Sequence, residues 1–189
     1  MPPGGHAELL QKVGALPNGP DRPFPSGQSI VELGEAVAPK TRPKPLRATE
    51  ALWAARKVNV RSTMWIKPRG GAPMTAACLR LIERSGRPCW PWTPFKPGIL
   101  CEAFPAAQLQ HWGLPHMGYS GSGGANVRAS ILVGLNQRLR ISSPYARIVS
   151  ENPDALDAVI TSFAAIAVST GKALAFEGSY VDGFIAVAK

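Results

Sequence analysis

Residues 153–170 read as one long amphipathic helix, and a helix with a single apolar stripe must lie on a second layer to bury it. Leu156, Val159, Ile160, Phe163, Ile166 and Ala167 recur at helical spacing, Asn152 stands at the N-cap position, and Gly171 supplies a stop. The layer it needs is foreshadowed by two apolar segments. Gly98 to Phe104 has the composition of a buried strand, with Pro105 opening the next helix at its first position. Phe184 to Val187 reads as a closing strand. Helices separated by isolated apolar strands give an α/β class.

The remaining chain supplies further helices and loops. Short helical patterns run from Ala7 to Leu16 and from Ser29 to Val37, divided by Pro/Gly-rich loop sequence. A helix is expected from Thr49, as N-cap, through Arg56, with Leu52 and Trp53 inward. Another is expected from Ala72 to Ser85, with Met74, Cys78, Leu79, Leu81 and Ile82 as its apolar stripe and Gly86 as its end. A third spans Asn126 to about Arg138, facing inward with Ile131, Leu132 and Leu135. The organisation expected is a Pro/Gly-rich, loosely ordered segment over 1–45 followed by one domain over 46–189.

Composition narrows the function classes. No run of 18 apolar residues exists in the 189, so no membrane span is expected, and a cytoplasmic location is the default. Cys78, Cys89 and Cys101 form neither a Cys-x-x-Cys pair nor an even set, so reduced thiols are expected. The formal net charge of +9 is unevenly spread. Lys40, Arg42, Lys44, Arg47, Arg56, Lys57, Arg61, Lys67 and Arg69 face the single acid Glu50 in that stretch. Such a run attracts polyanions, and it is equally compatible with a plain solvated surface.

The residues that carry chemistry are acids. Asp154 and Asp157, at i and i+3 in the first turns of the final helix, lean over one edge. Two carboxylates so placed can share a divalent cation; an acid in a first helical turn also complements the helix dipole. Asp157 lies nearer the apolar flank, where an unpaired charge is costly. Glu102 interrupts an apolar strand near its C-terminal end, where open α/β sheets place their sites, though a strand acid also serves as an ion-pair partner. Convergence of Glu102, Asp154 and Asp157 would give a cage for Mg²⁺ or Mn²⁺ suited to phosphodiester hydrolysis.

Other constellations are weaker. Gly118 to Gly124 lacks the Gly-Lys-Ser/Thr ending of a phosphate loop and reads as a flexible connection. His111 and His116 lack metal-ligand spacing, no Gly-x-Ser-x-Gly elbow occurs, and Trp90 and Trp92 read as core residues before base-stacking ones.

Several of these segments together resemble the family of predicted nucleases known as domain of unknown function 429. Cys101-Glu102-Ala103-Phe104-Pro105-Ala106-Ala107 is similar to its strand-to-helix junction, and Arg47-Ala48-Thr49-Glu50 to its Arg-x-Thr-acid segment. Gly118-Tyr119, the Arg128 to Leu135 helix, Asp154-Ala155-Leu156-Asp157-Ala158 and Asp182-Gly183-Phe184-Ile185 follow in the same order. The resemblance covers about residues 45–188. It implies a ribonuclease H-like (RuvC-like) mixed sheet flanked by helices, with Glu102, Asp154 and Asp157 as metal ligands and catalytic acids. It also implies that Arg47, Tyr119 and Arg128 face nucleic acid. The family's first strand supplies an Asp that has no counterpart here, and Ser120 replaces a Lys, so the resemblance implies an N-terminally truncated domain lacking its first strands. The expected function is a metal-dependent, nuclease-like protein. The alternative is a catalytically dead nucleic-acid-binding or interaction module on the same fold.

Overall fold

The computed structural model describes residues 5–37, 46–66, 70–174 and 183–189. Among them the chain is α/β and mostly helical, with one small parallel sheet. The helices are α1 (Gly5–Ala15), α2 (Gly27–Val37), α3 (Ala48–Ala55), α4 (Ala72–Ser85), α5 (Pro105–His111), α6 (Ala125–Leu135), α7 (Ser143–Glu151) and α8 (Pro153–Ser169). The strands are β1 (Glu102–Ala103) and β2 (Ile185–Ala186). The chain divides into two compact units. One comprises Met1–Leu52, Val60–Leu100 and Phe176–Phe184; the other comprises Trp53–Asn59, Cys101–Ala175 and Ile185–Lys189.

In the first unit α1 and α2 both pack on α4, around Val13, Ile30 and Ala76. Leu79 packs against this cluster as expected, but the rest of the packed face of α4 differs from the expected stripe. Met74 and Leu81 are each 69% exposed and Cys78 is exposed, whereas Ala72, Ala76 and Arg80 are buried. These three share one face at i, i+4 and i+8. Small alanines let two helices approach closely, and Arg80 then reaches the end of α1, donating to the carbonyls of Gly14 at 2.9 Å and Leu16 at 2.6 Å. A helix end leaves such carbonyls without helical partners, so the buried cation replaces an apolar contact there. Gly86 ends α4 in the left-handed conformation, as expected. Trp90 packs edge-on against Phe184, and Trp92 stacks on His6 with ring centroids 4.1 Å apart.

α3 begins one residue earlier than expected, and Thr49 is a buried helical residue instead of its cap. The capping is done by Glu50, whose carboxylate accepts from the Arg47 backbone N–H at 3.0 Å and from Arg47 Nε at 3.1 Å.

In the second unit β1 and β2 run parallel, pairing Glu102 with Ile185 and Ala103 with Ala186. The expected strand over 98–104 contracts because Leu100 turns aside to bridge Cys89, and Pro105, which has no N–H to donate, starts α5. Gln108 extends the sheet with its side chain: Nε2 donates to the Ala188 carbonyl and Oε1 accepts from the Ala188 N–H. The core is Leu109, Tyr119, Ile131, Leu135, Val149, Leu156 and Ile160. α8 starts and ends as its caps dictate, but its buried face is Leu156, Ile160, Ala164, Ala167 and Val168, and Ile166 is 57% exposed. α7 was not anticipated from sequence; Val149 is its only buried residue, and Tyr145 and Ile148 are exposed.

Candidate functional site

The start of α8 is built by Asn152. Its Oδ1 accepts from the backbone N–H of Asp154 at 2.8 Å and of Ala155 at 3.2 Å, satisfying two donors that a helix leaves open. That turn holds Asp154 exposed and Asp157 half-buried on one edge. The two acids interact: burial pushes the Asp157 carboxyl above the usual aspartate range, the Tyr119 hydrogen bond opposes this, and the Asp154 charge adds to the rise. Tyr119 Oη donates to Asp157 Oδ1 at 3.0 Å. Burial, and then the Asp157 charge, hold the phenol proton more tightly than in a free tyrosine.

Tyr119 is placed by Arg128. This arginine is buried, and its guanidinium donates to four backbone carbonyls: Tyr119 and Gly121 from Nη1, Ser150 at 2.7 Å from Nε, and Glu151 at 3.3 Å from Nη2. Two of those carbonyls belong to the last turn of α7, where a cation is favoured. One side chain thus ties the 118–124 segment to the α7–α8 junction, and so brings Tyr119 to Asp157. The segment expected to be a flexible connection is therefore pinned: Ser122–Gly124 forms a short 3-10 turn. Gly124 is required there, because a Cβ would come within 2.5 Å of the Tyr119 carbonyl oxygen and 2.6 Å of that of Gly118.

The other sequence-derived residues lie as follows. Glu102 is exposed on β1, and among the described residues no three His, Cys, Asp or Glu side chains are grouped so as to hold a metal ion. The structure therefore brings Asp154 and Asp157 together without making a three-acid cage with Glu102. Arg47 pairs with buried Glu50. Arg128 gives its donors to carbonyls. Asp182 and the basic residues Lys40, Arg42, Lys44, Lys67 and Arg69 lie outside the described residues. A divalent cation fits the donor set in a restricted sense. Mg²⁺ is commonly held by one or two carboxylates with water and phosphate oxygens completing its six ligands, and Asp154 with Asp157 supplies two.

Sequence reasoning treated Tyr119 and Arg128 as separate phosphate-facing groups and missed that they form one assembly with Asp157. The signal that could have found it is weak: an Arg in the second turn of a helix after a glycine-rich stretch.

The fold and this acidic edge define an α/β protein with a carboxylate pair opening its longest helix. A family model described as "Protein of unknown function (DUF429)" matches residues 34–179, and the chain belongs to that family. It matches no curated protein and no solved structure.

Proposed function

We propose that this chain is a nuclease-type protein with a ribonuclease H-like framework, acting on phosphodiester-containing polymers through Mg²⁺ or Mn²⁺ at Asp154 and Asp157. The observation that supports this reading is the mutual arrangement of the two aspartates on the first turns of α8, with Asp157 held by Tyr119. Two like charges in a half-buried setting repel, and a bound cation relieves that repulsion. When bound, the ion would polarise a phosphoryl oxygen and activate water. Asn152 and Arg128 hold the turn and its neighbouring segment, and Tyr119 orients Asp157. Titration of the chain with Mn²⁺, followed by calorimetry, tests the reading. Asp154→Asn and Asp157→Asn should each weaken binding about tenfold or more, the loss expected for disturbed ligands. Unchanged affinity in both variants removes the metal site.

A second reading is favoured by the net charge of +9 and by the lack of a three-donor group among the described residues: a nucleic-acid-binding module without hydrolysis. Salt-dependent oligonucleotide binding that persists in a chelator, with no cleavage on adding Mn²⁺, would support it.

A further inference from the structure

Away from the aspartate edge, in the same unit, basic and aromatic side chains from α3, α5 and the segment after α6 are interleaved. Trp53 is fully buried, and the guanidinium of Arg56 lies over its ring, 5.0 Å from the centroid. Trp112 follows α5 directly. Its ring meets Phe163 edge-on at 5.0 Å and carries the guanidinium of Arg138 at 4.6 Å. His111, the last residue of α5, directly precedes Trp112 and lies within the field of both guanidiniums. Burial, and then the charges of Arg56 and Arg138, disfavour its protonated form. No acidic side chain contributes to His111, and neither arginine is ion-paired among the described residues. Both arginines are exposed.

This arrangement is unlike a scattering of solvated cations. A guanidinium held over an indole loses freedom before any ligand arrives, and its planar set of donors suits a phosphate oxygen pair. Two such groups acting on one imidazole concentrate positive potential, and among the described residues no ion pair offsets either. Burial and these charges favour the neutral imidazole, which can offer an N–H or a lone pair without adding to the repulsion. Lys57 follows Arg56 and is held in the left-handed conformation, with φ of 64°. Its carbonyl lies 3.4 Å from His116 Nε2, a contact that joins the end of α3 to the segment after α5.

We propose that Arg56, His111 and Arg138 form an oxyanion site that takes a phosphate group, presented either by a nucleic-acid backbone or as free phosphate. The site is independent of the Asp154–Asp157 edge, and its test is run in a chelator so that no divalent ion contributes.

The experiment follows the His111 imidazole by NMR in the full chain while inorganic phosphate is added at constant ionic strength. Phosphate should raise the His111 pKa, since an anion between the arginines offsets their charge. In the free protein Arg56→Gln and Arg138→Gln should each raise it too, by removing one repelling charge. Each substitution should weaken phosphate binding about tenfold, the order expected from one charge-assisted hydrogen bond. Arg56→Lys and Arg138→Lys keep charge without the planar fork and should bind at intermediate strength, and circular dichroism checks that all variants fold. A single-stranded oligonucleotide distinguishes the source. A salt slope that falls by about one per arginine removed identifies a polymer backbone. Loss of inorganic phosphate binding alone identifies a free anion. If the double Arg→Gln variant binds both probes as the wild type does, or if His111 does not respond to phosphate, the site does not exist.

Discussion

The hydroxyl of Tyr119 donates to Asp157 Oδ1 over 3.0 Å, joining two residues 38 apart in sequence. The bond supports a half-buried carboxylate that also lies within the field of Asp154. Tyr119→Phe keeps the ring in the core and deletes only the donor. It should cost about 1 kcal/mol in urea denaturation, the usual worth of one hydrogen bond. The Asp157 carboxyl should titrate higher still, because the bond removed is the one that lowers its pKa. An Asp157 carboxyl NMR titration unchanged in Tyr119→Phe would show that the bond is not formed in solution.

Asp157 also predicts a pH dependence. Its native pKa is raised above the unfolded value, so the native state binds the proton more tightly. Its contribution therefore favours folding at low pH and fades as pH rises from the ordinary aspartate range through the raised native value. Asp157→Asn cannot ionise yet still offers an oxygen to Tyr119. The variant should gain on the wild type across that window and be the more stable of the two at neutral pH. A stability difference that stays flat between about pH 3 and pH 7, either side of the carboxylate range, would contradict the assignment.

Arg128 should be irreplaceable by lysine. Its planar fork reaches four carbonyls from three nitrogens, and an ammonium on a single stem cannot span them. Arg128→Lys should cost about 2 kcal/mol and Arg128→Ala at least about 3 kcal/mol, since each buried carbonyl left unpaired carries a desolvation penalty. Loss of the Tyr119–Asp157 coupling in the same variants would tie stability to the site.

Gly124→Ala tests the turn itself. The methyl would press on two backbone oxygens that cannot swing aside, so a destabilisation of about 1–3 kcal/mol is expected. Ser120→Ala, an exposed change in the same segment, should stay within about 0.5 kcal/mol. Equal effects of the two would argue against the close approach.

The face of α4 gives a further check. Leu81→Gln, at a position 69% exposed, should alter stability by less than about 0.5 kcal/mol. Ala76→Leu, at a fully buried position, should cost about 1–3 kcal/mol through overpacking. The reverse order would restore the stripe of large residues as the packed face.

What the amino-acid order determined by itself was wherever one residue's own chemistry decides the outcome. Asn152 and Pro153 start α8, Pro105 starts α5, and Gly86 stops α4, because caps, a missing N–H and a left-handed turn act within a few residues. The paired acids were legible for the same reason, since i and i+3 share a helix edge wherever the helix goes. Tertiary structure decided which face each helix buries. Ala76 and Arg80 displace Met74 and Leu81 from the packed side of α4 because the neighbour is another helix's backbone end, which rewards small size and hydrogen-bond donors over apolar bulk. The same holds for Arg128 and for Arg138 over Trp112. Their partners come from distant segments, and only folding brings those carbonyls and that ring within reach.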